Sequence, residues 1–207
     1  MTYIFDFDGT LVDSMPLFGK VMVRILDENN VKYPDNILNI ITPLGYKGAG
    51  EYARSIGYPH STSEFVSKVL EYAGYEYLNV IPLKAHVGEK LTQLKNEGHS
   101  LSILTASPHD IVDGCLRRNG IYELFDKVWS CEDFNRTKAE VEIYHEAAQM
   151  LGKKAVECTF VDDNLGAVST AKKSGMTVIG VYDETSETTK DDIKSIADRY
   201  INDFSEL

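Results

Sequence analysis

Two aspartates one residue apart, Asp6 and Asp8, stand in the string Asp6-Phe7-Asp8-Gly9-Thr10-Leu11-Val12-Asp13, at the end of the apolar run Tyr3–Phe7. Carboxylates this close resist joint ionisation, so the pair implies a bound cation or a raised pKa. Gly9 lets the backbone turn sharply and bring peptide groups against a ligand. A bare Asp-x-Asp-Gly is also an ordinary turn, since Asp and Gly dominate turns. The longer string with an apolar strand in front is more specific. A calcium loop does not fit: its glycine should follow two positions later and a glutamate should close it. A second acidic pair, Asp162-Asp163, follows Phe160-Val161 and precedes Asn164. Alone it reads as a turn with an N-cap. Together the two pairs make an oxygen-only donor set, which favours Mg²⁺.

Thr105 closes the run LSILT, where its hydroxyl is placed to donate to a phosphoryl oxygen. In Thr105-Ala106-Ser107-Pro108 the same stretch precedes a helical segment, so Ser107 is expected to cap that helix with Pro108 at its first position. Lys138 opens KAEVEIYHEAAQML at an expected helix start. The helix dipole disfavours a cation there unless it meets an anion, although a lone lysine is ordinarily a solvated one.

These residues fall at the ends of strand-like runs. Leu101–Thr105, Val128–Ser130, Thr159–Val161 and Thr177–Val181 are short apolar runs, and Tyr3–Phe7 makes a further, central one. Amphipathic segments at Val87–Asn96, His109–Asn119, Ala139–Leu151 and Leu165–Ser174 alternate with them. That alternation predicts βαβ units: an α/β fold with a Rossmann-like, doubly wound parallel sheet, whose ligands bind beyond the carboxyl ends of the strands. Between Met15 and Leu83 the pattern changes. Phe18–Leu26, Asp35–Ile41, Gly50–Ile56 and Ser63–Tyr77 read as helices, punctuated by Pro34, Pro43, Pro59 and Pro82. The expected organisation is a core of residues 1–14 and 84–207 with a small all-helical cap, 15–83, inserted after the first strand.

A chain of 207 residues suits one domain with such an insertion, and 43% hydrophobic residues suffice for a core without disulfides. The net charge of −11 repels nucleic acid and anionic membranes, so neither is an expected partner. It does not exclude phosphate substrates, because a bound cation and local donors set the potential inside a small site. Cys115, Cys131 and Cys158 form no CxxC pair, which argues against a disulfide scaffold or a zinc site. The start lacks the pattern of a signal peptide and no run approaches the roughly 18 apolar residues of a membrane span, so the cytoplasm is the expected location.

The string DFDGTLVDS at Asp6–Ser14, LSILTAS around Thr105, RTK at Arg136–Lys138 and FVDDNLGAVSTAKKSGM from Phe160 together resemble the haloacid dehalogenase superfamily of phosphotransferases, in the subgroup with a helical cap after the first strand. The resemblance runs over nearly the whole chain. It implies a phosphatase in which Asp6 attacks phosphorus, and Asp8 protonates the leaving group and then activates water against a phospho-aspartate. It implies that Thr105, Ala106 and Lys138 hold the phosphoryl group. Mg²⁺ would be bound by Asp6, the Asp8 backbone carbonyl and Asp163, with Asp162 nearby or acting through water. The substrate would be a small phosphorylated metabolite, read by cap residues among Leu44, Gly45, Tyr46, Lys47 and Arg54. Asp162 departs from the glycine of many members, and Ala139 from a frequent proline.

Three rivals share parts of this pattern. A dehalogenase uses an aspartate nucleophile without metal, and Asp8 with Asp162–Asp163 argues against it. A sugar-phosphate mutase shares all the motifs and differs mainly in its cap. A receiver-type signalling module gathers similar residues, but with its acidic pair on the first strand and its phosphorylated aspartate on the third, whereas here the pairs sit on the first strand and after Phe160, and the cap has no counterpart there. No GxxxxGK[ST] string occurs.

Overall fold

The computed structural model describes residues 1–41 and 44–207, which divide into two compact units, Met1–Asp13 with Ile81–Leu207, and Ser14–Val80. The first is built on β1 (Thr2–Phe5), β2 (Ser100–Thr105), β3 (Lys127–Ser130), β4 (Cys158–Asp162), β5 (Thr177–Val181) and β6 (Arg199–Ile201). Their order across the sheet is β3-β2-β1-β4-β5-β6, and every neighbouring pair is parallel. The order reverses direction at β1 and β4, so the crevice between their carboxyl ends is the topological switch point where such sheets take ligands.

A parallel sheet covered on both faces needs strands apolar on both sides. β1 reads TYIF and is buried throughout. On one face Ile4, Leu104, Phe160 and Val178 pack with Ile143, Tyr144 and Ala147 of α7 (Val141–Met150) and with Val168 and Ala171 of α8 (Leu165–Lys173). The Tyr144 ring meets Phe160 edge-on at 5.0 Å between centroids. On the other, Phe5 meets Phe125 and Phe204. The helices α5 (Val87–Asn96) and α6 (His109–Arg118) precede and follow β2.

The expected strand Tyr3–Phe7 is shorter in the structure. The Asp6 N–H still meets the Val161 carbonyl at 2.9 Å, and then the chain leaves the ladder, so Asp6 stands just beyond β1. Past Val181, where the sequence pattern offers no further strand, α9 (Lys190–Ile196) and β6 complete the edge.

The second unit holds α1 (Leu17–Glu28), α2 (Ile37–Ile41), α3 (Gly45–Ser55) and α4 (Thr62–Asn79). Val21, Met22, Ile25 and Leu26 form one stripe of α1 and pack with Ile37, Ile41, Ala53, Phe65 and Val69. The start of α4 is a capping box: Ser61 Oγ accepts from Glu64 N–H at 3.2 Å, and Glu64 Oε2 accepts from Ser61 N–H at 2.9 Å. Pro34, Pro59 and Pro82 lie outside helices. Pro43 lies outside the described residues. Helix α3 begins earlier than Gly50, so Tyr46 and Lys47 stand in its first turn rather than in a loop, and both are exposed. Among the described residues no helix is long and apolar enough to cross a membrane.

Candidate active site

The loop after β1 is closed by its own backbone. Leu11 and Val12 N–H both donate to the Phe7 carbonyl, at 2.9 and 3.1 Å, and Gly9 N–H donates to Val12 O at 3.1 Å. Phe7, Leu11 and Val12 are buried beneath it, which fixes the loop from below. Gly9 has φ +74°, and a Cβ there would lie 2.7 Å from Asp163 Oδ2. Two demands therefore coincide at this position: a left-handed backbone and a close approach by a carboxylate from the neighbouring strand end. Thr10 completes the link, its Oγ1 donating to Asp163 Oδ1 at 2.9 Å.

Thr105 ends β2, and its buried Oγ1 accepts from Ser107 N–H at 3.0 Å. Ala106 beside it is exposed. The expectation that Ser107 caps α6 is not met. The cap position is Pro108, without a side-chain hydrogen bond, and the Ser107 hydroxyl instead donates to Asp8 Oδ2 at 2.5 Å. A charged acceptor brought up by the adjacent strand outcompetes a neutral local amide.

Lys138 also differs in its setting. Helix α7 starts only at Val141, so Lys138 stands in the turn before it rather than in the first helical turn. Its ammonium is ion-paired with Asp6 and, at 2.9 Å, with Asp162. The turn is held without the proline that Ala139 replaces. The Tyr144 hydroxyl lies 3.0 Å from the Lys138 carbonyl and 3.2 Å from that of Ala167. Arg136 pairs with Glu140 at 3.2 Å and Glu146 at 3.0 Å, and Thr137 N–H donates to Glu140 at 2.8 Å.

Asp162 ends β4 and uses both oxygens: Oδ2 on Lys138, and Oδ1 on the Asn164 N–H at 2.7 Å. Asn164 then caps α8 through Gly166 and Ala167. Oxygens of Asp6, Asp162 and Asp163 all lie within 4.8 Å of one another, and all three residues are buried. Burial pushes the Asp6 carboxyl well above the ordinary range; Lys138 opposes this, and Asp162, Asp163 and Asp8 add to it. Burial, then the Asp162 charge, pushes Asp163 up to about 7 against the Thr10 hydrogen bond. Burial works to lower Lys138, but the charges of Asp162 and Asp6 outweigh it and hold the ammonium firmly protonated. Three buried carboxylates converge here, two of them ion-paired with Lys138, and such an oxygen donor set fits a hard divalent cation.

Residues 3–181 match the family of haloacid dehalogenase-like hydrolases. The chain belongs to that family. Among curated relatives of this haloacid dehalogenase-like hydrolase, a validoxylamine A 7'-phosphate phosphatase of Streptomyces hygroscopicus subsp. limoneus is 26% identical over 99% of this chain and 94% of its own. A pyrophosphatase of Bacillus velezensis is 28% identical over 86% of this chain and 81% of its own. A haloacid dehalogenase family hydrolase of Deinococcus radiodurans, solved with bound phosphate and sodium, superposes with a TM-score of 0.80 at 20% identity, over all of this chain (100%) and 92% of that one. The last likeness shows the fold.

In this hydrolase Asp6, Lys138, Asp162 and Asp163 come together, with Thr105 at the end of β2 and Asp8 and Ala106 on the loops at the same sheet edge. Tyr46 and Lys47 belong to the helical unit. Thr10, to which its sequence context assigns no role, and Ser107, whose context suggests a cap, both touch acidic residues of the site. Asp183, two residues beyond the buried strand β5, is a further acidic residue at a strand end, as Asp6 and Asp163 are.

Proposed function

We propose that this chain is a Mg²⁺-dependent phosphatase that hydrolyses a small phosphomonoester through a phospho-aspartyl intermediate on Asp6. The observation that carries the reading is the buried Asp6 carboxylate, ion-paired with Lys138 at the switch point of the sheet and flanked by Asp162 and Asp163. Its phosphatase relatives support the same reaction class.

Asp6 is the nucleophile, and it is preorganised: its backbone is pinned to β4 and its side chain is buried. Lys138, paired with the nucleophile, supplies its ammonium to the phosphoryl oxygens, where the developing charge lies. Thr105 and the backbone at Ala106 receive the remaining phosphoryl oxygens. Asp8, oriented by Ser107, protonates the departing oxygen and then deprotonates the water that attacks the phospho-aspartate. Asp6, the Asp8 carbonyl and Asp163 would hold Mg²⁺, which when bound screens the charge between nucleophile and phosphate. Asp162, with both oxygens engaged, is the partner that aims Lys138 rather than a direct ligand. The unit Ser14–Val80 acts as the cap, selecting the leaving group through Tyr46 and Lys47. The charge of −11 disfavours nucleic acid as substrate, and three free, buried cysteines suit the cytoplasm.

The test is release of inorganic phosphate from a panel of phosphorylated metabolites, with and without chelator. Release that stops in chelator at unchanged circular dichroism and returns with Mg²⁺ is expected. Full release in chelator removes the metal from the reading, and isomerised sugar phosphate without released phosphate replaces the phosphatase with a mutase.

A further inference from the structure

Lys84 lies just ahead of α5, and its side chain is 18% exposed. Its ammonium donates to three oxygens: the Gly9 carbonyl at 2.6 Å, the Tyr182 carbonyl at 2.6 Å and Asp183 Oδ2 at 3.0 Å. An ammonium has three donors, so the set is complete. The backbone leading into Lys84 is also fixed. Lys84 N–H donates to Leu11 O at 2.9 Å, and Leu83 bridges Val12. Asp183 uses its other oxygen on the Thr185 N–H at 2.9 Å and the Thr185 hydroxyl at 2.6 Å. Burying an ammonium is costly unless such partners are present, and a generic surface pair does not collect two main-chain carbonyls from different loops.

The two loops that Lys84 joins share a destination. Gly9 precedes Thr10, whose hydroxyl donates to Asp163 Oδ1 at 2.9 Å. Asp183 leads into the turn bearing Ser186, whose hydroxyl lies 3.4 Å from Asp163 Oδ2. Gly9 itself leaves no room for a Cβ beside that carboxylate. Both sides from which Asp163 is oriented are therefore tied to one cation.

We propose that Lys84 is a positioning residue for Asp163, acting through Gly9–Thr10 on one side and Asp183–Ser186 on the other. The proposal rests on the reading of Asp163 as a Mg²⁺ ligand. Outer partners of metal ligands change metal affinity by about 10–100-fold when removed. The test is calorimetric titration of magnesium chloride into the wild type, Lys84→Met, Lys84→Arg and Asp183→Asn, with circular dichroism on each and the Mg²⁺ dependence of turnover measured in parallel. Lys84→Met should weaken Mg²⁺ binding about 10–100-fold, with the KM for Mg²⁺ rising more than kcat falls. Lys84→Arg keeps the charge and should recover part of the affinity. Should Lys84→Met not fold, Asp183→Asn carries the test, with weaker Mg²⁺ binding at an unchanged spectrum. Folded variants that bind Mg²⁺ as the wild type does overturn the role of Lys84 alone. A wild type that takes up no Mg²⁺ overturns the metal reading and this inference with it.

Discussion

The Ser107 hydroxyl donates to the Asp8 carboxylate across 2.5 Å, joining the loop after β2 to the loop after β1. The bond holds the Asp8 carboxyl in one orientation from the neighbouring loop. Ser107→Ala should therefore lower kcat/KM for an alkyl phosphate by about 10-fold, the worth of one charged hydrogen bond. Loss on p-nitrophenyl phosphate should be smaller, because that leaving group needs little protonation. Equal losses on both substrates would place Ser107 in folding rather than in orienting Asp8.

Gly9→Ala forces a side chain into a left-handed backbone and against the Asp163 carboxylate. The conformation alone costs about 1–3 kcal/mol. Urea unfolding in chelator should show a loss of that size, and phosphate release should fall much further than stability, because Asp163 has to move. Unchanged turnover at saturating Mg²⁺ would contradict the coupling of Gly9 to Asp163.

The His109 ring lies between Asp133, 2.8 Å from Nε2, and Asp113, 3.3 Å from Nδ1. The Asp133 hydrogen bond, reinforced by Asp113, raises its pKa against a modest burial effect. A raised folded pKa contributes stability that is full below the unfolded value of about 6.5 and is lost as pH rises through the folded value. The side chain is 42% exposed, so solvent screening keeps the contribution below about 1 kcal/mol. Urea midpoints of the wild type and His109→Gln should differ at pH 5.5 and converge by pH 9. A difference that grows with pH would reverse the assignment.

The sheet was legible where strands are long and uniformly apolar. β2, β4 and β5 announce themselves, and so did their acidic or hydroxyl ends. β6 did not, because its three residues, RYI, have no pattern of their own and depend on pairing with β5. Lys138 was legible as a residue but not as a turn, since the contacts that hold that turn come from Tyr144 and Glu146 further along the chain. Ser107 could not be read locally, because its partner Asp8 lies 99 residues away and competes with a nearby amide. Lys84, in IPLKAHV, carried no signal. Distant partners decide such side chains, and spacing does not record them.

Lys138 and the cap residues should separate in one substrate panel. Lys138→Ala should damage every phosphomonoester alike, because it meets the group they share. Tyr46→Ala and Lys47→Ala should lower kcat/KM unevenly, by up to about 1.5–3 kcal/mol where a charged hydrogen bond is lost, with p-nitrophenyl phosphate least affected. Uniform losses for the Tyr46 and Lys47 variants would assign them to the general machinery instead of selection.

Covalent chemistry at Asp6 is the centre of the account, and acid quench of the enzyme during turnover tests it directly. Mass spectrometry of the quenched wild type should find one phosphoryl group on the peptide bearing Asp6, removable by hydroxylamine as an acyl phosphate is. Asp6→Asn, which keeps the shape and removes the nucleophile, should show no such adduct and only background phosphate release. A phosphoryl group on another residue, or substantial turnover by Asp6→Asn, would contradict the mechanism.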